Sequence, residues 1–184
     1  MVKSVVVYFS GYGRTRLVAE AIAQGASAHV ATVGQDGELD ERDWTALDEA
    51  DAIIFGAPTY MGTVPWQFKK FADASSKRWY ARAWEGKVFG GFTNSASFNG
   101  DKQVTLIYLQ TLASQHGGIW VSLGLLPGNV KVTESPDLNV LGGSVGLLVR
   151  SSADANIGDP SASDLETARV YGARITGIAN RLKS

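Results

Sequence analysis

The chain has 184 residues, 45% hydrophobic and 19% charged, which suits one domain with a sizeable core and excludes a disordered chain. Lys and Arg number 17 against 18 Asp and Glu, a net charge of −1 with no strongly charged half, so neither nucleic acid nor an anionic membrane is an expected partner. Cysteine is absent, which excludes a disulfide scaffold, a zinc-thiolate site, an iron–sulfur cluster and a catalytic thiol, and fits a reducing, cytoplasmic setting.

Val5 to Phe9 is a near-continuous β-favouring run, too short for a signal-peptide core, and reads as a strand covered on both faces. Leu17, Val18, Ala21, Ile22 and Gly25 follow at helical spacing, and His29 to Val33 reads as a weaker strand. Asp36 to Asp51 holds eight acids and one Arg, the composition of a solvated loop and helix face. Ala52 to Phe55 is a buried strand, Val64 to Ser75 a helix, Val88 to Thr93 a strand, Lys102 to His116 a helix and Ile119 to Leu123 a strand. Gln103 to Val130 contains no charged residue, yet Gln110, Ser114, Gln115, His116, Gly117, Gly118 and Pro127 break it into helix and strand rather than a bilayer span. Leu125 to Gly158, with Gly142-Gly143, Gly146 and Gly158, reads as an insertion interrupting or following a strand. Ser163-Asp164-Leu165-Glu166 is a capping box, and Leu165, Ala168, Gly172, Ile175, Ala179 and Leu182 share one face of the last helix. Strand–helix alternation throughout predicts an α/β fold: residues 1–184 as one doubly wound domain on a parallel, five-stranded sheet.

Such sheets bind ligands beyond the carboxyl ends of their strands, and three loops there carry suitable chemistry. Ser10-Gly11-Tyr12-Gly13-Arg14-Thr15 joins the first strand to the first helix. Its glycines allow close backbone approach, its hydroxyls and arginine donate, and the helix dipole favours an anion. The G-x-G-x-x-G dinucleotide pattern fails because Arg16 stands at the third glycine position, and the P-loop pattern lacks G-K-[ST]. A phosphomonoester suits what remains; an ordinary glycine turn is the alternative. Gly56-Ala57-Pro58-Thr59-Tyr60-Met61-Gly62 offers an aromatic and a thioether that can pack on a flat heterocycle or simply cover the core rim. Asn94-Ser95-Ala96-Ser97-Phe98-Asn99 offers hydroxyls, amides and backbone donors for a ring rich in carbonyls and nitrogens, or forms a plain polar turn.

These three segments, with Phe92-Thr93 before the last of them, resemble the flavodoxin-like superfamily. More narrowly they resemble the tryptophan-repressor-binding-protein-like NAD(P)H:quinone oxidoreductases. Trp79 to Lys87, Thr111-Leu112-Ala113 through His116-Gly117, and Gly158-Asp159-Pro160 extend the match from Lys3 to Leu182. The resemblance implies FMN, with its phosphate in Ser10, Gly11, Tyr12, Gly13, Arg14 and Thr15. The ring would lie against Pro58, Thr59, Tyr60 and Met61 on one side and Asn94, Ser95, Ala96, Ser97, Phe98 and Asn99 on another. It also implies His116 near the flavin as a catalytic group, Tyr12 and Trp79 on the nicotinamide or substrate, NADH or NADPH as co-substrate, and a homo-oligomer, dimer or tetramer. The expected reaction passes two electrons from NAD(P)H through FMN to a small quinone in ping-pong order, with no metal. His116 also reads as a helix C-terminal cap beside Gly117, and Trp79 as a surface anchor. Two other functions stay open: a flavodoxin-type carrier, for which a net charge of −1 is unusually weak, and a flavin-free binding protein if Phe98 fills the ring site.

Overall fold

The computed structural model describes residues 1–128, 138–152 and 159–183. In chain order the elements are β1 (Ser4–Tyr8), α1 (Arg14–Ala26), β2 (His29–Thr32), α2 (Glu41–Glu49), β3 (Ala52–Pro58), α3 (Trp66–Ala74), α4 (Ser76–Tyr80), β4 (Val88–Ser95), α5 (Lys102–Gln115), β5 (Ile119–Trp120), β6 (Leu147–Arg150) and α6 (Ala162–Lys183). All strand pairs are parallel, in the order β2-β1-β3-β4-β5, with β6 also paired to β4. The sheet thus has five strand positions, as the alternation predicts, and two segments share the fifth.

The uninterrupted apolar runs of β1 and β3 follow from cover on both faces. Val5, Val7 and Phe9 pack with Phe55, Phe68, Phe71, Trp84 and Phe89 under α2, α3 and α5. Val6 and Tyr8 face the other way, onto Val18, Ile22, Tyr171 and Ile175 of α1 and α6. Trp44 and Leu47 of α2 are buried, so the acidic stretch is a solvated face with an anchored underside.

The fifth strand departs from the expected Ile119–Leu123. Only Ile119 and Trp120 pair with Val88 and Phe89; the chain then leaves the sheet and returns at Leu147, opposite Phe92. The part of Leu125–Gly158 that lies within the described residues is therefore an insertion inside a strand position; Gly158 lies outside them. Between the two segments β4 has no strand neighbour at Gly91, and Tyr171 of α6 fills the gap. Its hydroxyl donates to the Val121 carbonyl at 2.7 Å and accepts the Gly91 N–H at 3.3 Å. Trp120 Nε1 donates across the break to the Val145 carbonyl at 2.7 Å. Asn139 ties the insertion's base, donating from Nδ2 to the carbonyls of Leu125 and Gly143 and accepting the Gly143 N–H.

The last helix starts earlier than the Ser163 capping box predicts. Ser161 is the cap: its Oγ accepts the Asp164 N–H at 3.1 Å, with Asp164 three residues on. Leu182, expected on the buried face, is exposed, because the sheet ends before the helix does. The α1–α6 contact is very close: a Cβ at Gly25 would collide with the Arg169 backbone, and one at Gly172 with the Ile22 carbonyl. Gly25→Ala and Gly172→Ala should each lower stability by about 1–3 kcal/mol through overpacking. Gly177 has open space where its Cβ would stand, so Gly177→Ala should gain about 0.5–1 kcal/mol of helix propensity. Urea unfolding of the three variants checks the contrast.

Candidate functional site

The carboxyl ends of β1, β3, β4 and β6 surround a cavity of about 520 Å³, lined by Tyr12, Arg14, Thr15, Thr59, Tyr60, Asn94, Ser95, Ala96, Ser151 and Ser152. That volume suits a cofactor-sized ligand. Each wall is made by one loop. Gly13 caps α1 with φ of 82°, a left-handed conformation that glycine adopts without a Cβ clash, so the positive end of the helix dipole meets the cavity at Arg14 and Thr15. Ser10 turns back into its own loop, where its Oγ accepts the Arg16 N–H at 3.3 Å and its carbonyl accepts from Gln35 Nε2 at 3.1 Å.

Three side chains join the walls. Thr15 Oγ1 donates to Asn94 Oδ1 at 2.6 Å, and Asn94 Nδ2 donates to Ser151 Oγ at 2.8 Å. The Asn94 carbonyl accepts the Thr59 N–H at 2.9 Å. Thr59 Oγ1 lies 2.8 Å from the hydroxyls of both Thr93 and Thr105, a buried cluster beneath the second loop. Tyr60 and Thr63 exchange backbone hydrogen bonds, which closes that loop into a tight turn. The Tyr60 ring lies over Gly11, whose Cβ would come within 2.7 Å of the Tyr60 hydroxyl, and meets the Tyr12 ring edge-on at 6.1 Å. Burial, with Tyr12 alongside, pushes the Tyr60 hydroxyl above its ordinary pKa, so near neutral pH it is a donor. A mostly apolar pocket with a helix N-terminus at one end and hydroxyl and amide groups along another wall suits a phosphate-bearing planar heterocycle.

Residues 5–115 match the family model described as a flavodoxin domain. The chain belongs to the flavodoxin family. It is 58% identical to flavodoxin FldP of Pseudomonas aeruginosa (strain UCBPP-PA14) over 99% of both chains. It is 31% identical to an NAD(P)H dehydrogenase (quinone) of Acidovorax ebreus (strain TPSY), over 99% of this chain and 98% of the relative. Among solved structures, the flavodoxin, WrbA-like protein from Agrobacterium tumefaciens superposes with a TM-score of 0.80 at 50% identity, over 98% of this chain and 99% of that one.

Of the flavodoxin-type site expected from sequence, eight residues line the cavity: Tyr12, Arg14, Thr15, Thr59, Tyr60, Asn94, Ser95 and Ala96. Gly11 and Gly13 contribute backbone, and Pro58 is buried at the end of β3. Met61 stands fully in solvent at a positive φ of 48°, because the Tyr60–Thr63 turn throws it outward, off the expected ring position. Ser97, Phe98 and Asn99 also fall outside the lining. Phe98 turns onto the Arg150 guanidinium, 4.4 Å from its ring centroid, so it does not fill the ring site and the flavin-free reading loses its ground. Sequence reasoning missed Ser151 and Ser152. The only signal was a short apolar run, Leu147 to Val149, with two serines beyond Arg150.

Within this chain His116 and Trp79 lie away from the cavity. Helices α3 and α5 run back from the carboxyl edge, which carries α4 and the α5 C-terminus to the opposite edge of the sheet. There Trp79 and His116 border a separate recess of about 220 Å³ with Ser75, Leu112 and Gln115. Within one chain neither residue reaches Tyr12 or the larger cavity. His116 is the C-cap of α5, followed by Gly117 at φ of 74°. The Ser75 hydroxyl donates to the Ala72 carbonyl at 2.7 Å, so the His116 Nε2–H donates to Ser75 Oγ at 2.9 Å; Nδ1 is buried with no partner among the described residues. The ring packs on Trp84 at 4.4 Å between centroids. Burial pushes its pKa down to about 4. The unfolded chain therefore binds the proton first, and stability falls as pH drops from about 6.5 towards 4. The wild type should lose about 1–3 kcal/mol through this group over that range, discounted for solvent screening, and His116→Gln should flatten that slope in unfolding curves taken pH by pH.

Proposed function

We propose that the chain binds FMN in the carboxyl-edge cavity and acts as a flavodoxin-type electron carrier, exchanging electrons with protein partners through the rim beside Tyr12. The observation that carries this reading is the layout of the cavity. It has a helix N-terminus for a phosphate and a polar wall for a ring and, among the described residues, no second aromatic wall for a nicotinamide. The relative at 58% identity, named a flavodoxin, supports it. Tyr12, Met61 and Trp66 are exposed on the loops and helix start at that edge, giving a surface on which a partner can dock.

When bound, FMN supplies a ring that takes up and returns electrons; the chain supplies grip and environment. Arg14 and Thr15 hold the phosphate with the α1 dipole. Thr59, Asn94, Ser95 and Ala96 position the ring edge, and the neutral Tyr60 hydroxyl donates without adding charge. Local charge counts more than net charge for docking: Asp36 to Asp43 carries five carboxylates against one arginine, and its neighbour Gln35 bonds the phosphate loop directly. That acidic flank suits a basic partner surface.

The second reading is two-electron, ping-pong transfer from NADH or NADPH to a quinone. It is favoured by the relatives named NAD(P)H dehydrogenase (quinone) at 31% identity and by the 85% exposure of Tyr12, a ring free to stack. It needs a second copy, in a dimer or tetramer, to bring Trp79 to the Tyr12 side. Mixing the FMN-loaded protein with NADH or NADPH under anaerobic conditions separates the two. A carrier keeps its flavin colour for minutes and loses it only to dithionite or a partner reductase. Rapid bleaching, with benzoquinone restoring the colour and parallel initial-rate lines, moves the assignment to the quinone reductase.

Thr15→Ala should weaken FMN binding by about 10- to 100-fold if, on binding, the hydroxyl that donates to Asn94 Oδ1 turns to the charged phosphate. Riboflavin, which lacks the phosphate, should lose much less. Equal loss for both flavins, measured by fluorescence quenching, would mean that the hydroxyl serves only the Asn94 bridge.

A further inference from the structure

Two cations hold the third loop, and no sequence motif flags either. Lys102, the first residue of α5, is only 1% exposed. Its Nζ donates to the carbonyls of Ser97, Phe98 at 3.1 Å and Asn99 at 3.5 Å. Arg150, at the end of β6, donates from Nε to the Ala96 carbonyl at 3.1 Å and lays its guanidinium over the Phe98 ring. Four consecutive carbonyls are thus committed to cations that lie outside the cavity. Among the described residues, the backbone N–H groups of Ser97, Phe98 and Asn99 donate to no protein acceptor. A buried ammonium is retained only where its donors are matched, and here the loop backbone matches them.

We infer that Lys102, with Arg150 as its outer partner, is the positioning residue of the third loop: by fixing the carbonyls of residues 96–99 it keeps Ser95 and Ala96 on the cavity wall and leaves backbone N–H groups for the flavin ring. The ligand in this inference rests on the FMN reading; the loop geometry does not. An apolar side chain of similar length would fill the same space without turning the carbonyls. The charge on Lys102 is itself adjustable near neutral pH. Burial lowers its pKa to about 8, Arg150 on β6 lowers it in the same sense, and Asp164 on α6 opposes. Residues 96–100 add no ionisable side chain. Tyr60 on the cavity wall titrates above its ordinary value and does not enter the same range.

The test uses wild type, Lys102→Met and Arg150→Gln, with amide exchange of residues 95–101 in flavin-free protein beside FMN and riboflavin titrations. Lys102→Met should speed loop exchange by about tenfold or more and weaken both flavins by the same factor of about 10. Arg150→Gln should do the same to about threefold. Wild-type riboflavin affinity should fall by about 3- to 10-fold from pH 7 to pH 9.5 as Lys102 loses its charge, and the Lys102→Met profile should be flat. A merely structural lysine would not produce that pH difference. A folded Lys102→Met protein with unchanged exchange and affinity overturns the inference; if Lys102→Met does not fold, unchanged exchange and affinity in Arg150→Gln overturn it. If wild type binds neither flavin while Lys102→Met still loosens the loop, the FMN reading fails and the positioning role stands.

Discussion

The site depends on one side chain, Asn94, and on the fact that an amide both accepts and donates. Its oxygen takes the Thr15 hydroxyl from the first turn of α1, its nitrogen gives to Ser151 beyond β6, and its carbonyl takes the Thr59 N–H. Three loops that are far apart in sequence are thereby set against one strand end. A carboxylate there would accept twice and donate nothing, and a leucine would leave buried hydroxyls unsatisfied at about 1–3 kcal/mol each. The cavity keeps its shape because its walls are hydrogen-bonded to one another as well as packed.

The same economy explains how a strand position tolerates a long interruption. A parallel sheet that loses a neighbour leaves backbone donors unpaired in its core, a cost comparable to any buried unsatisfied group. Here β4 would be left bare at Gly91, and the Tyr171 hydroxyl answers the orphan N–H while also taking up the Val121 carbonyl. Burial holds the Tyr171 pKa far above its ordinary value, so the hydroxyl stays neutral and keeps its proton for Val121. With both ends pinned, by Trp120 at one side and Asn139 at the other, the insertion can vary without moving Ser151 and Ser152, which belong to the site.

Much of this was legible in the residues. The runs at Val5 and Ala52 announce strands buried on both faces, and the loops after them carry glycines and hydroxyls at the positions that line the cavity. What was not legible has a common physical cause. A strand shared by two segments has no local signature, because Ile119-Trp120 and Leu147 to Arg150 are each too short to show a period. A buried lysine looks like any helix-start lysine until the loop above it is known. Met61 and Phe98 read as ring-packing residues by type, but the Tyr60–Thr63 turn and the Arg150 guanidinium decide where they point. The polarity of the helices sets Trp79 and His116 apart from the cavity within one chain. Their spacing from the loops gave no sign that α3 and α5 carry them to the far edge of the sheet.

Charge in this molecule is arranged rather than accumulated. The total of −1 conceals an acidic segment beside the Ser10–Thr15 loop, and two cations spent on the backbone of the loop opposite. Because Lys102 and Arg150 are directed at carbonyls, their fields are largely taken up inside the protein and little of their charge is offered to an approaching partner. On the acidic flank Asp43 Oδ1 lies 2.7 Å from His29 Nε2, while Glu38 pairs with Lys70 at 2.5 Å and Asp40 with Arg42 at 3.4 Å, the last two at exposed sites where screening leaves the pair worth little. On the carrier reading proposed above, a partner would meet a negative rim beside an apolar one formed by Tyr12, Met61 and Trp66. Long-range attraction and short-range apolar contact are thus available at the same edge of the sheet, and on the carrier reading proposed above this would make whole-chain neutrality a poor guide to docking.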